Sequence, residues 1–265
     1  MSGASSAGQA LTLRLTKAQK RLSLFIKLGA SVALVTIWHI VTLNELVSPF
    51  FLPQPADVLR IFIKIVVSGQ AWPDLKVTLF EFALAGPIAI VAGGTVGFLI
   101  SLTRYGTRVF EPVISSVYAI PIIIFYPVSV MALGIGPESK IAHGALFGFF
   151  PMCLSTIQGL SRVDPLYIRL AHSTGASKWK LFWRIMLPAA APTILTGVRL
   201  GLMLSFLAII GGETIASLEG IGHRVVWYAE GMQTGNMFAY IVFVILVAVL
   251  MNTALSFLEI RRGRA

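Results

Sequence analysis

Eleven carboxylates, four histidines and a single cysteine are the groups in this 265-residue chain equipped for acid–base, nucleophilic or metal chemistry. They are scattered, and the histidines at 39, 143, 172 and 223 have no metal-ligand spacing. Cys153 lies inside an apolar run, which excludes an internal disulfide and a cysteine-based metal site. The pattern G-x-x-x-x-G-K-[ST] does not occur, so no loop of the usual kind is present to cradle and hydrolyse ATP. What remains is the chemistry of charges in apolar surroundings, where each costs about 2.5–3.5 kcal/mol to bury in a bilayer. Glu81, Glu213 and Arg199 lie in or beside apolar runs. Glu213 is placed to line a vestibule or to cap local backbone. Arg199 is placed to snorkel or to pair, with Glu111 as a candidate partner. His143 and His223 read as rim residues, and Lys27 as a snorkelling one.

The elements that position these groups are long and apolar. The chain is 56% hydrophobic and 12% charged, about half the charge of an ordinary soluble domain, with a mean hydropathy of +0.84. Apolar length predicts six spans, at about 22–43, 77–102, 109–133, 141–160, 191–212 and 236–258. The first follows a polar lead with no clean small-residue cleavage site and reads as a retained span. Gly93-x-x-x-Gly97 and Gly144-x-x-x-Gly148 would let helix backbones approach closely. Three prolines in the third span (Pro112, Pro121 and Pro127) favour a helix bent around a pathway over simple packing kinks.

With both termini inside, the inner segments hold fourteen lysines and arginines and the outer segments five. The positive-inside rule selects that orientation. It also accounts for the net charge of +10 without invoking nucleic acid. Outside, residues 55–72 read as an interfacial helix with Leu59, Ile63 and Val66 on one face, and residues 213–236 as short helices near the mouth.

One inner segment is more elaborate than a connector. Asp164-Pro165 is a helix start, with aspartate as cap and proline in the first turn. Leu166, Tyr167, Leu170, Ala171 and Thr174 then share a face, with Arg169 and His172 elsewhere, and Gly175 stands where a left-handed residue ends a helix. A second helix fits 177–187, with Trp179, Phe182, Trp183 and Met186 on one side and Lys180 and Arg184 on the other. Leu187-Pro188 ends it before the fifth span. This is a rigid protruding helix for a second protein to grip, or else a surface helix that anchors the loop.

Gly175, Ile185, Leu187 and Pro188 reproduce the pattern G-x9-I-x-L-P, and "FLPQPADVL" (51–59), "GIGPESKIA" (134–142) and "ETIASLEGIG" (213–222) accompany it in order. The set resembles the permeases of binding-protein-dependent ABC importers, in the branch serving nitrate, sulfonate, taurine and bicarbonate systems. The resemblance implies an all-α polytopic membrane protein of the type I importer permease fold, with six transmembrane helices and cytoplasmic termini. Residues 1–21 would be a cytoplasmic tail, 22–260 the permease domain with its coupling loop at 161–190, and 261–265 a basic tail. It further implies a coupling helix that docks on a cytoplasmic ATPase through Pro165, Leu166, Arg169, Leu170, Ala171, His172 and Gly175. Trp179, Phe182, Trp183, Ile185, Leu187 and Pro188 would brace the loop. The implied assembly has two ATPase copies using ATP and magnesium, a second permease copy and an extracytoplasmic binding protein, in a bacterial plasma membrane. No cofactor would be bound by this chain itself.

Three positions depart from that pattern. The acidic residue of the Glu-Ala-Ala triplet is Arg169, and basic positions of the family are Glu81 and Tyr118. Tyr118 beside Phe125 and Tyr126 would suit a larger or aromatic ligand, or simply pack between helices. The candidate pathway residues are therefore Tyr118, Glu213, Glu81 and Arg199. The function expected is that of an importer's membrane subunit for a small organic or inorganic anion. The competing readings are an ion-coupled carrier, a membrane enzyme and a scaffold. The first two would need midplane acids or inverted repeats, and clustered titratable groups at a membrane face, respectively.

Overall fold

The computed structural model describes Leu22 and residues 25–262; the rest of the two expected tails, 1–21 and 263–265, lies outside the described residues. The chain divides within one helix into two compact units, residues up to Ile61 and residues from Phe62. In the first, helix α1 (Phe25–Leu43) is apolar enough to span a membrane. The Trp38 indole N–H donates to the Pro53 carbonyl at 3.0 Å and folds the following turn back onto that helix. Helix α2 (Pro55–Val67) begins here. Its Val58 and Ile65 are buried while Leu59 and Ile63 are exposed. The expected interfacial stripe is therefore the outward face of a helix that also has an inward one.

The second unit is built on α3 (Trp72–Ser101), α6 (Pro137–Ser161) and α9 (Leu187–Ile215). At 1.5 Å per residue the 30-residue α3 is about 45 Å long, more than a bilayer's hydrocarbon thickness. The two glycine pairs seen in the sequence lie at helix crossings. A Cβ on Gly93 would come within 2.6 Å of the Phe149 carbonyl, and one on Gly148 within 2.6 Å of the Gly201 carbonyl. A third pair, Gly197 and Gly201, packs on Ser155 and Gly148. Without a hydrophobic drive between helices in lipid, such close backbone contact supplies the packing energy.

The third expected span is not one helix. It is α4 (Arg104–Tyr118), a 3-10 turn (Ile122–Phe125) and α5 (Tyr126–Leu133), with a 73° bend between the halves. Pro112 is carried inside α4 and Pro127 in the first turn of α5, so the break falls at Pro121 alone. Its ring removes a donor, and it restricts the residue before it to extended backbone.

The segment expected to couple follows as α7 (Pro165–Ser173) and α8 (Lys178–Leu181). The expected stop at Leu187-Pro188 is absent. A π-turn at Phe182–Met186 joins α8 to α9, and Pro188 sits in the first turn of α9. The wider turn accommodates a residue that cannot donate to the carbonyl four positions back. The apolar helix therefore runs from Trp179 to Ile215. Helices α10 (Ile221–Glu230) and α11 (Thr234–Arg262) complete the unit.

Candidate functional site

At the ends of α3, α6 and α9 that lie beside the segment 161–190, α7 is capped on both sides. Asp164 Oδ1 accepts from the Leu166 N–H at 2.8 Å, and Pro165 opens the helix. Gly175 has φ +71°, and the Ala176 N–H returns to the Ala171 carbonyl at 3.0 Å, a left-handed helix stop. Ala171 is buried at 3%, whereas Leu166, Tyr167 and Leu170 are 51%, 53% and 55% exposed. The apolar face expected in the sequence is thus turned outward, and Ala171 with the half-buried Ile168 makes the inward contact. Arg169 is exposed and lines a cleft described below. The side chain of His172 lies outside the described residues.

The residues expected to brace the loop differ in burial. Phe182 packs on Phe98 with ring centroids 5.0 Å apart, and together with Met186 it covers Leu160, Val163 and Ala190. Trp179 and Trp183 touch each other edge to face but remain exposed. The stripe expected of Trp179, Phe182, Trp183 and Met186 is kept: all four line one cleft of about 660 Å³, and the Phe182 and Trp183 rings meet at 5.3 Å. Ile185 and Leu187 are half-buried and Pro188 is exposed.

The opposite ends of the same three helices carry a buried polar network. Asp74, Thr78 and Glu81 stand at i, i+4 and i+7 along α3 and are 4%, 0% and 0% exposed. Lys140 Nζ of α6 lies 2.8 Å from Glu81 Oε1 and donates to Ser217 Oγ at 2.7 Å. Thr78 Oγ1 donates to Glu213 Oε1 at 2.6 Å, while the Gly222 N–H donates to Glu213 Oε2 at 2.8 Å. The Ile221 N–H donates to Thr78 Oγ1 at 3.1 Å. Arg224 Nε pairs with Asp74 Oδ2 at 2.8 Å. Burial opposes the charge of that guanidinium, but the Asp74 carboxylate outweighs it and holds Arg224 above its ordinary value. Gly220 takes φ +106° directly over the Glu213 carboxylate, and any Cβ there would meet it. The network pins the turn 216–222 onto the helix ends.

Of the two roles expected for Glu213, the structure shows the capping of local backbone, through the Gly222 N–H. Glu81, a candidate pathway residue, is enclosed and ion-paired with Lys140. His143, expected at a rim, is 1% exposed between the rings of Tyr126 and Phe147. Arg199 donates to Asn252 Oδ1 through Nε and a terminal nitrogen at 3.2 and 2.9 Å. Glu111, its expected partner, accepts from Gln158 at 3.0 Å. Tyr118 stacks on Phe150 at 5.9 Å and also borders a cleft of about 640 Å³ at the bend, with Ile123, Phe147, Leu207 and Thr214. The network itself was missed in the sequence. Its signal was the polar stripe Asp74, Thr78, Glu81 at helical spacing in an apolar helix.

Residues 85–261 match the family described as the inner-membrane component of binding-protein-dependent transport systems. The chain belongs to that family. It is a non-catalytic membrane permease subunit of an ABC importer, a multi-pass protein whose energy comes from a partner ATPase. It is 32% identical over 241 residues to the taurine transport system permease protein TauC of Escherichia coli (strain K12), covering 89% of this chain and 88% of that one. It is 29% identical to the putative aliphatic sulfonates transport permease protein SsuC of the same organism, covering 86% and 87%. In structure it is similar to a chain of the MetNI methionine ABC transporter in an inward-facing conformation. That match has a TM-score of 0.61 at 19% identity, covers 70% of this chain and 93% of the other, and speaks to fold alone.

Proposed function

We propose that this permease imports a small organic anion of the sulfonate or taurine kind across a bacterial plasma membrane, with both termini cytoplasmic. Residues 165–175 are its coupling element: α7 seats on a cytoplasmic ATPase through Leu166, Tyr167, Leu170 and the flanking Arg169, with His172 on the same short helix. The observation that carries this is a nine-residue helix, capped at both ends, whose apolar side chains are half exposed while Ala171 anchors it. The protein works as a homodimer with two ATPase copies, which bind ATP and magnesium, and an extracytoplasmic binding protein delivers the substrate. The two relatives' names support the substrate class. The apolar cleft at the bend, with Tyr118 on its border, fits the organic part of such a solute. Family membership weighs against the ion-coupled carrier.

The test is co-purification in mild detergent followed by mass determination. Two copies of this chain with two of a nucleotide-binding protein are expected, and Ala171→Asp should abolish the association. A chain that runs alone even after crosslinking from a cysteine placed at position 172 would overturn the coupling reading. Uptake assays with taurine and alkanesulfonates test the substrate separately.

A further inference from the structure

Between α4, the end of α6 and α7 lies a cleft of about 760 Å³. Leu160, Ile168 and Met186 are among its apolar lining, and Arg108, Arg169 and Thr107 supply polar groups. Both arginines are exposed. The nearby acids are already bonded: Asp164 caps α7, and Glu111 accepts from Gln158. Residues 1–21 contain no acid that could neutralise the pair. Two guanidiniums beside an apolar floor favour a carboxylate, which each can grip through two parallel N–H bonds.

We infer that the ATPase docked on α7 inserts an acidic side chain into this cleft, held between Arg108 and Arg169. The inference rests on the coupling reading above and adds a second attachment. Arg108 belongs to α4, so the bent span as well as α7 would be tied to the ATPase. The charge at position 169 then has a reason: in this permease the interface takes its acid from the partner and its base from the coupling helix.

The experiment uses the purified full-length permease and its ATPase, identified by a phosphate-binding loop in its sequence. Affinity is measured from about 0.05 to 0.5 M salt, a range over which the screening length shortens severalfold. Arg108→Glu and Arg169→Glu should each weaken binding about tenfold at low salt, with a flatter salt dependence than the unsubstituted chain. An acid-to-arginine change in the ATPase should restore Arg169→Glu. Arg108→Gln and Arg169→Gln, with helical content and melting checked, separate lost charge from misfolding. If the ATPase binds both Glu variants as tightly as the unsubstituted chain at every salt concentration, the inference fails and the coupling reading stands. It fails in the same way if those variants lose only their response to phosphatidylglycerol in nanodiscs, which would make the cleft a lipid headgroup site. If the unsubstituted permease binds no ATPase, both fall.

Discussion

The two ends of the α3–α6–α9 bundle treat charge in opposite ways. At one, Asp74, Glu81, Lys140, Glu213 and Arg224 are paired or hydrogen-bonded within the chain, and the three acids are almost wholly enclosed. At the other, Arg108 and Arg169 stand exposed beside half-exposed leucine and tyrosine side chains. Polar groups shut away from water need partners inside the chain, or they destabilise it by the full loss of hydration. Groups left at a surface can await partners outside it. The first end is therefore a structural clamp, and the second is where docking of the ATPase is proposed.

Breaking the clamp should have the largest effect on stability. Lys140→Ala strands Glu81 and is expected to destabilise the protein by about 3–5 kcal/mol, the cost of leaving half of a buried pair. Thermal unfolding in detergent would read this, and Glu81→Gln combined with Lys140→Met should recover much of it. A smaller loss, about 1–3 kcal/mol, is expected for Gly220→Ala, which strains a left-handed backbone and drives a Cβ against the Glu213 carboxylate. At the interface end, Gly175→Ala should cost about 1 kcal/mol, since its positive φ is unfavourable for alanine but nothing crowds the added carbon. Smallest of all is Leu170→Asp, expected to leave melting within about 0.5 kcal/mol of the parent while removing ATPase retention on a pull-down. If Leu170→Asp destabilised the fold as much as Lys140→Ala, the contrast between clamp and interface would be lost.

The substitution of Glu81 for a basic residue looked from the sequence like an altered pathway. The bundle instead brings Lys140 from α6 against it, so the positive charge stands on another helix. Tyr118 packs between helices, stacking on Phe150, which is one of its two expected roles, and it also borders the cleft at the bend. Arg199 found Asn252 on α11, a partner 53 positions away that no local pattern could name.

Local chemistry determined a good deal alone. Apolar run length marked out the hydrophobic segments, Asp164-Pro165 and Gly175 bounded α7, and the Gly93/Gly97 and Gly144/Gly148 pairs marked helix crossings. Each depends on backbone preferences or composition within a few residues. Tertiary structure decided the rest: which of three prolines breaks the third span, how a π-turn carries the helix on through Leu187-Pro188, and which acids meet which bases. Those outcomes depend on neighbours supplied by other helices. A polar stripe on α3 announces that partners are required, but the packing of α6, α9 and the 216–222 turn against it determines which residues they are.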